Sequence, residues 1–399
     1  MPSTPKAASL AAGDRPPVVL QVLPALLTGG VERGTIDVAG AIKAAGWTSL
    51  VVSSGGHMVR ELDRMGVNHI PLPVHSKNPL VMRANISRLE ELIRDHNVDI
   101  VHARSRAPAW SAFFAAQRSG RHFLTTFHGT YNLGLFGLKN AYNAIMTRGE
   151  RVIAISHFIA DHMQTVYGID AGRIRVIHRG IDLERFDPAR VSPERIIQLA
   201  QRWRLPDGYP VIMLPGRLTR WKGQTVLIEA LALLGRRDLR CLLVGADQGR
   251  TAYAQELKTL AAARGLAEVV HIVGDCNDMP AAYMLTDVVV SASTDPEAFG
   301  RVIVEAQAMG RSVVATDNGA GRENVMDGQT GLLVPPGDAG ALALAIDRVL
   351  AIAAEERAAR AALAIDFVRR NFSRELMCER TLGVYAEVLG LDPAKAVAP

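Results

Sequence analysis

A chain of 399 residues with 48% apolar side chains is long for one domain and suits two, each with a substantial core. No apolar run reaches the roughly 18–20 residues that span a bilayer, and Cys241, Cys276 and Cys378 fit neither a disulfide framework nor CxxC metal spacing, so three reduced thiols are expected. The net charge of +5 is uneven: residues 1–190 carry 22 Lys and Arg against 15 Asp and Glu, while residues 191–399 carry 23 against 25, so the first half either faces a polyanion such as anionic lipid or nucleic acid or simply carries a soluble basic surface.

The opening "MPSTPKAASLAAGDRPP" is small, polar and proline-bearing, without the apolar segment of a signal peptide, and residues 1–16 are expected to be a disordered lead-in. Short apolar runs then alternate with helical patterns: 18–24, 49–54, 69–73, 99–103, 122–127, 151–156 and 174–178 read as strands. The alternation restarts with strands at 210–216, 239–245, 269–274, 287–293, 311–316 and 331–336. Strand–helix alternation of this kind predicts an α/β chain with two doubly wound, Rossmann-like parallel sheets, whose strand ends face a cleft. Asp187-Pro188 and Ser192-Pro193 mark a seam, which gives domains at 17–187 and 188–372. Residues 373–399 form a closing helix and tail, expected to cross back to the first domain.

The stretch "TDPEAFGRVIVEAQAMG", 294–310, places Glu297 and Glu305 eight positions apart in an apolar context. Thr294-Asp295-Pro296 makes a turn, and Phe299-Gly300 lets a helix begin near Arg301. A helix start offers unpaired N–H groups and the positive end of the dipole, which favour phosphate. Glu297 would lie ahead of a diphosphate there and Glu305 behind it, suiting a sugar and a ribose respectively. Upstream, "GRLTRWKG" sets Arg217 and Lys222 after a strand end, where two cations neutralise a diphosphate or merely decorate a solvated loop. Gly29-Gly30 in "LLTGGVERG" is a second phosphate-approach loop without GxGxxG spacing. His128 in "TFHGTY" follows a strand at the cleft edge, a place for a structural or a catalytic histidine.

In this order the residues resemble the retaining glycosyltransferases of GT-B architecture, glycosyltransferase family 4 (group 1), over roughly residues 18–390. Glu297 and Glu305 match its E-x7-E motif, "PGRLTRWKG" its donor-phosphate motif and "VIHRGIDLERFDP" its interdomain signature, with Arg179 where asparagine is more usual. "TDNGAGRENVMDGQTGLLVPPGD" is similar to its nucleotide-side stretch, and "TGGVER" and "TFHGTY" to its amino-terminal elements. The resemblance implies that Arg217 and Lys222 bind the donor diphosphate and that Glu305 holds the ribose. It further implies that Glu297, with the amides of Phe299, Gly300 and Arg301, holds the transferred sugar and phosphate, that Gly30 approaches the diphosphate, and that His128 contacts the donor sugar. No metal and no cofactor beyond the nucleotide-sugar substrate is expected.

The acceptor side falls in the basic half. There "HARSRAPAWSAFFAAQRSGRHF" mixes Arg104, Arg106, Arg118 and Arg121 with Trp110, Phe113 and Phe114, and "YNLGLFGLKNAYNAIMTRGERV" adds Leu135, Phe136, Leu138 and Tyr142. Such stretches fit an anionic membrane surface or ordinary helices packed on a sheet. The expectation is a hexosyltransferase at the cytoplasmic face of the inner membrane, acting on a lipid-linked or envelope glycan such as a lipopolysaccharide core. A nucleotide-sugar epimerase of the same architecture and a non-enzymatic nucleotide-sugar-binding protein are the rivals. No nucleic-acid module is present.

Overall fold

The computed structural model describes residues 15–131, 138–249 and 251–392. Each of the expected apolar runs forms a strand. In the first half these are β1 (Val18–Val22), β2 (Thr48–Ser53), β3 (Asn68–Pro71), β4 (Ile100–Ala103), β5 (His122–Phe127), β6 (Arg151–Ala154) and β7 (Ile174–Val176). In the second they are β8 (Val211–Pro215), β9 (Arg240–Val244), β10 (Val270–Gly274), β11 (Val288–Ser291), β12 (Ser312–Thr316) and β13 (Leu332–Val334). The central strands, such as β1 and β8, are buried at every position, which is why they read as continuous rather than alternating apolar runs.

Two compact units result. One comprises the chain through Ile155, then Ala160–Ile177 and the segment from Cys378; the other comprises Ser156–Ile159 and His178–Met377. The first holds a seven-stranded parallel sheet in the order β3-β2-β1-β4-β5-β6-β7. The second holds a six-stranded parallel sheet in the order β10-β9-β8-β11-β12-β13. In each, the winding runs outward from one strand and then resumes on its other side, so the order reverses between β1 and β4 and again between β8 and β11. Ligands of doubly wound sheets bind beyond the carboxyl ends of strands at such a reversal.

The first βα loop is seated by Leu23, Leu26, Ile36, Val51, Met58 and Leu62. The second unit packs Ile212, Leu214, Leu227, Leu243, Val290, Val314 and Ile346 between its sheet and helices. No helix among the described residues is long and apolar enough to cross a membrane.

Two boundaries differ from expectation. The main segment of the second unit begins at His178, ten residues before Pro188 of the expected seam. The cause is local packing: Ile181 pairs with Ser373, Arg374 bonds Asp182, and the Phe186 ring lies 6.2 Å from that of Tyr283. Arg15, read as part of the lead-in, is fastened to Asp99 by contacts of 2.6 and 2.9 Å and to the Asn97 carbonyl. The closing helix Arg374–Leu389 is shared, with its residues from Cys378 onward in the first unit. There Tyr385 bonds His102, and Glu387 takes Arg151 and Arg175.

Candidate active site

Because β8 and β11 are neighbours, the loops leaving their carboxyl ends emerge side by side at the reversal point of the second unit. One carries "GRLTRWKG", the other "TDPEAFG". They are clamped together by the amide of Thr294 donating to the Trp221 carbonyl (2.8 Å). Gly223, at φ +72°, lies so close to the second loop that a Cβ there would stand 1.9 Å from the Ala292 oxygen. This approach delivers Lys222 to Glu297: Nζ is 2.5 Å from Oε1, and the two side chains keep only 12% and 14% of their surface. Ser293 donates to the same carboxylate oxygen at 2.5 Å, and the ammonium sits 4.4 Å from the Trp221 ring centroid.

The helix Arg301–Ala308 starts where expected. Gly300 takes the left-handed conformation at φ 74°, and the Asn324 side-chain amide fixes the turn by donating to the Phe299 carbonyl. Among the described residues nothing accepts from the amides of Phe299, Gly300 or Arg301, so the helix presents a cluster of unclaimed donors. Glu305 lies one turn inside, 9% exposed. Its Oε1 forms an ion pair with Arg301, 3.0 Å from Nε, and its Oε2 accepts from the Tyr283 hydroxyl at 3.0 Å. Burial raises its proton affinity above the ordinary carboxylate value, with Arg301 and the Tyr283 hydrogen bond opposing. The stretch expected on the nucleotide side also braces the loop: the Ala320 amide donates to the Glu297 carbonyl at 2.9 Å, and Asn318 donates to Thr294.

The expected residues therefore assemble as two pairs, Lys222 with Glu297 and Arg301 with Glu305. Arg217 stands apart: its side chain is exposed, and its carbonyl accepts from Gln224. Gly30 opens the helix Gly30–Ala44 after β1, where the Glu32 carboxylate lies against Gly29 and fills the space a side chain there would need. His128 follows β5 directly and is half-buried. Sequence reasoning missed Ser293, Tyr283 and Asn324. Ser293 and Tyr283 lie in apolar runs that read as sheet and helix packing, and no spacing rule ties them to a glutamate.

One cluster could hold a metal by proximity, since ligand atoms of His157, His178 and Glu323 lie within 4.8 Å of one another. The donor set argues for another role. Glu323 accepts from the amides of His157 and Phe158, both at 2.7 Å, and from His178 at 2.8 Å, so it caps a helix start. Burial would raise its proton affinity, but these donors outweigh it and hold the carboxyl below the usual range.

In the first unit the arginine-rich stretch is mostly paired within the unit, although Arg104 Nε is buried without a hydrogen-bond partner among the described residues. Arg104 is 4% exposed and donates to Gln21, Arg106 bonds Asn143, and Arg118 and Arg121 pair with Glu90 and Asp99. Trp110 stacks on Tyr142, and Phe113 meets Phe114 and Phe123 edge-on. Ordinary packing accounts for this stretch. Leu135 and Phe136 lie outside the described residues.

Comparison with known proteins agrees with this fold. Residues 28–185 match the family described as Glycosyltransferase Family 4, and residues 196–364 match Glycosyl transferases group 1. The D-inositol 3-phosphate glycosyltransferase of Xylanimonas cellulosilytica is 32% identical over 63% of this chain, which spans 60% of that relative's length. The GDP-mannose-dependent alpha-(1-6)-phosphatidylinositol monomannoside mannosyltransferase of Mycolicibacterium smegmatis is 31% identical over 66% of this chain and 70% of its own. A glycosyltransferase structure from Rickettsia africae superposes with a TM-score of 0.88 at 41% identity, covering 94% of this chain and 99% of that one. HepE of Anabaena, solved with UDP-glucose, gives 0.79 at 25% identity over 92% and 99% of the two chains. With both sheets and these relatives in agreement, the chain belongs to glycosyltransferase family 4, the group 1 glycosyl transferases of GT-B architecture.

Proposed function

We propose that the protein is a retaining, metal-independent hexosyltransferase that moves a hexose from a nucleotide-sugar to a lipid-linked or envelope glycan, such as a lipopolysaccharide core or a related glycolipid. The observation that carries this reading is the meeting of Lys222 and Glu297 beside the unclaimed amides of Phe299, Gly300 and Arg301. As the bond from sugar to phosphate breaks, negative charge grows on the diphosphate and positive charge on the ring. Lys222, Arg217 and the helix amides oppose the first, and Glu297 lies on the side of the second. Loss of one such preplaced donor costs about 2.7–4 kcal/mol of barrier. Glu305 takes the ribose hydroxyls. Gly30 and His128, at strand ends of the first unit, keep their assignments as diphosphate approach and donor-sugar contact.

The relatives frame the donor and acceptor to be tried. One is GDP-mannose-dependent and acts on a phosphatidylinositol mannoside, and HepE was solved with UDP-glucose. A panel of UDP-, GDP- and ADP-sugars screened by thermal shift is the first test, since a ligand at 100 times its dissociation constant adds about 2.7 kcal/mol of stability. Transfer to an extracted glycolipid should then need an acceptor, survive EDTA and vanish in Lys222→Ala. Conversion of the sugar without an acceptor would identify an epimerase instead. Retention on liposomes of anionic lipid at low salt tests the membrane part of the reading, which places the protein peripherally on the cytoplasmic face of the inner membrane.

A further inference from the structure

Glu305 has a holder that does not come from its own helix. Tyr283 lies on the helix Met279–Met284 and is wholly enclosed. Its hydroxyl is 3.0 Å from Glu305 Oε2 and 3.5 Å from the Val302 carbonyl, so its single proton goes to the carboxylate. That helix is itself pinned. Asp278 caps it through the Ala281 amide and receives Arg195 at 2.9 and 2.6 Å, and the Phe186 ring packs on Tyr283. The Glu305 side chain nonetheless keeps 12% of its surface. With Arg301 on one oxygen and Tyr283 on the other, each oxygen retains acceptor capacity, which matches two hydroxyls of a vicinal diol.

Building on the reading of the second unit as a nucleotide-sugar site, we propose that Tyr283 is a positioning residue for its ribose end: its hydroxyl fixes Oε2 of Glu305 so that the carboxylate meets the 2′- and 3′-hydroxyls of a ribonucleoside diphosphate. The groups facing Glu305 are Arg301 on its own helix, Tyr283 on the neighbouring one and Arg185 from the segment before Phe186. Burial favours the protonated acid; Arg301, then Tyr283, then Arg185 favour the ion. Removing the Tyr283 hydroxyl therefore raises the proton affinity of Glu305, and ribose recognition fails at a higher pH on acidification.

The test is calorimetric titration of the full chain and of Tyr283→Phe with UDP, GDP and ADP and their 2′-deoxy forms, from about pH 5 to about pH 8. The unmodified chain should prefer a ribonucleotide over its deoxy form by about tenfold, the ratio expected for about 1.4 kcal/mol. Tyr283→Phe should bring that ratio close to one near neutrality and move the acid-side loss to higher pH. Equal weakening towards both sugars with an unchanged pH profile would show a merely structural role and overturn the proposal. Failure of all three nucleotides to bind the unmodified chain would overturn the underlying site reading, and the proposal with it. Should the variant not fold, the unmodified chain decides: a ribose preference that persists unchanged on acidification overturns the proposal.

Discussion

Lys222 Nζ and Glu297 Oε1 lie 2.5 Å apart with both side chains nearly enclosed, although 74 residues separate them in the chain. Removing one partner leaves an uncompensated buried charge, which costs about 3–5 kcal/mol, whereas removing both does not. Lys222→Met and Glu297→Gln alone should each lower stability by about 3 kcal/mol in urea unfolding. The double variant should fall within about 1 kcal/mol of the parent. If the two residues act as proposed, sugar transfer should drop by about a hundredfold or more in all three, because each variant lacks the cation facing the diphosphate, the carboxylate facing the sugar, or both.

Gly223 and Gly235 flank the same helix, Gln224–Leu234, at nearly the same φ of +72° and +71°, yet their surroundings differ. A Cβ at Gly235 meets nothing within 4 Å, while one at Gly223 would strike the Ala292 carbonyl. Gly235→Ala should cost only the left-handed penalty of about 1–2 kcal/mol and leave activity intact. Gly223→Ala should cost clearly more and reduce transfer, since relief of the clash pulls Lys222 away from Glu297. Thermal melts and initial rates on the two variants separate conformational strain from loop displacement.

Glu305 holds its proton more tightly when folded, because burial penalises its charge more than Arg301 and Tyr283 favour it. Its contribution to stability is therefore fully present below the ordinary carboxylate value of about 4.5 and is lost as the pH rises through the raised folded value. Glu305→Gln has no charge to bury. Relative to the parent, its melting temperature should rise between acid and neutral pH, while nucleotide affinity falls by about tenfold or more if Glu305 holds the ribose as proposed. A stability difference that stays flat across that range would mean that Arg301 fully offsets the burial cost.

Most strands were legible because they are short apolar runs rich in Val, Ile and Leu, as a two-sided parallel sheet requires, and the helix start at Arg301 because Gly300 permits φ 74°. Glu297 and Glu305 stood out as carboxylates in apolar company. What joins them to the rest was not legible. Ser293 and Tyr283 reach the two glutamates across strand and helix neighbours that only the sheet order brings together. The arginines of 104–121 show the opposite limit: composition marked them as a basic surface, but Glu90, Asp99, Asn143 and Gln21, distant in sequence, account for them. The seam drawn at Pro188 followed proline signals, whereas the packing of Phe186 on Tyr283 and of Ile181 beside Ser373 carries the boundary back to His178.

Glu323 should titrate in the opposite sense to Glu305. Its carboxylate closes the amides of His157 and Phe158 and receives His178, and these donors hold its proton affinity below the ordinary carboxylate value despite burial. Its stabilisation is thus present above about pH 4.5 and is lost as the pH falls through the lowered folded value. Glu323→Gln keeps the shape but loses the charge and one acceptor, at a cost of about 1.5–3 kcal/mol near neutrality for a charged hydrogen bond. The gap from the parent should narrow as the pH falls from about 4.5 and close only below the lowered folded value, where both chains carry a neutral group at this position. His178→Gln should remove part of the same stabilisation, because it takes away one of the donors to the Glu323 carboxylate. A gap that persists unchanged into acid would assign the effect to packing and not to the captured helix amides.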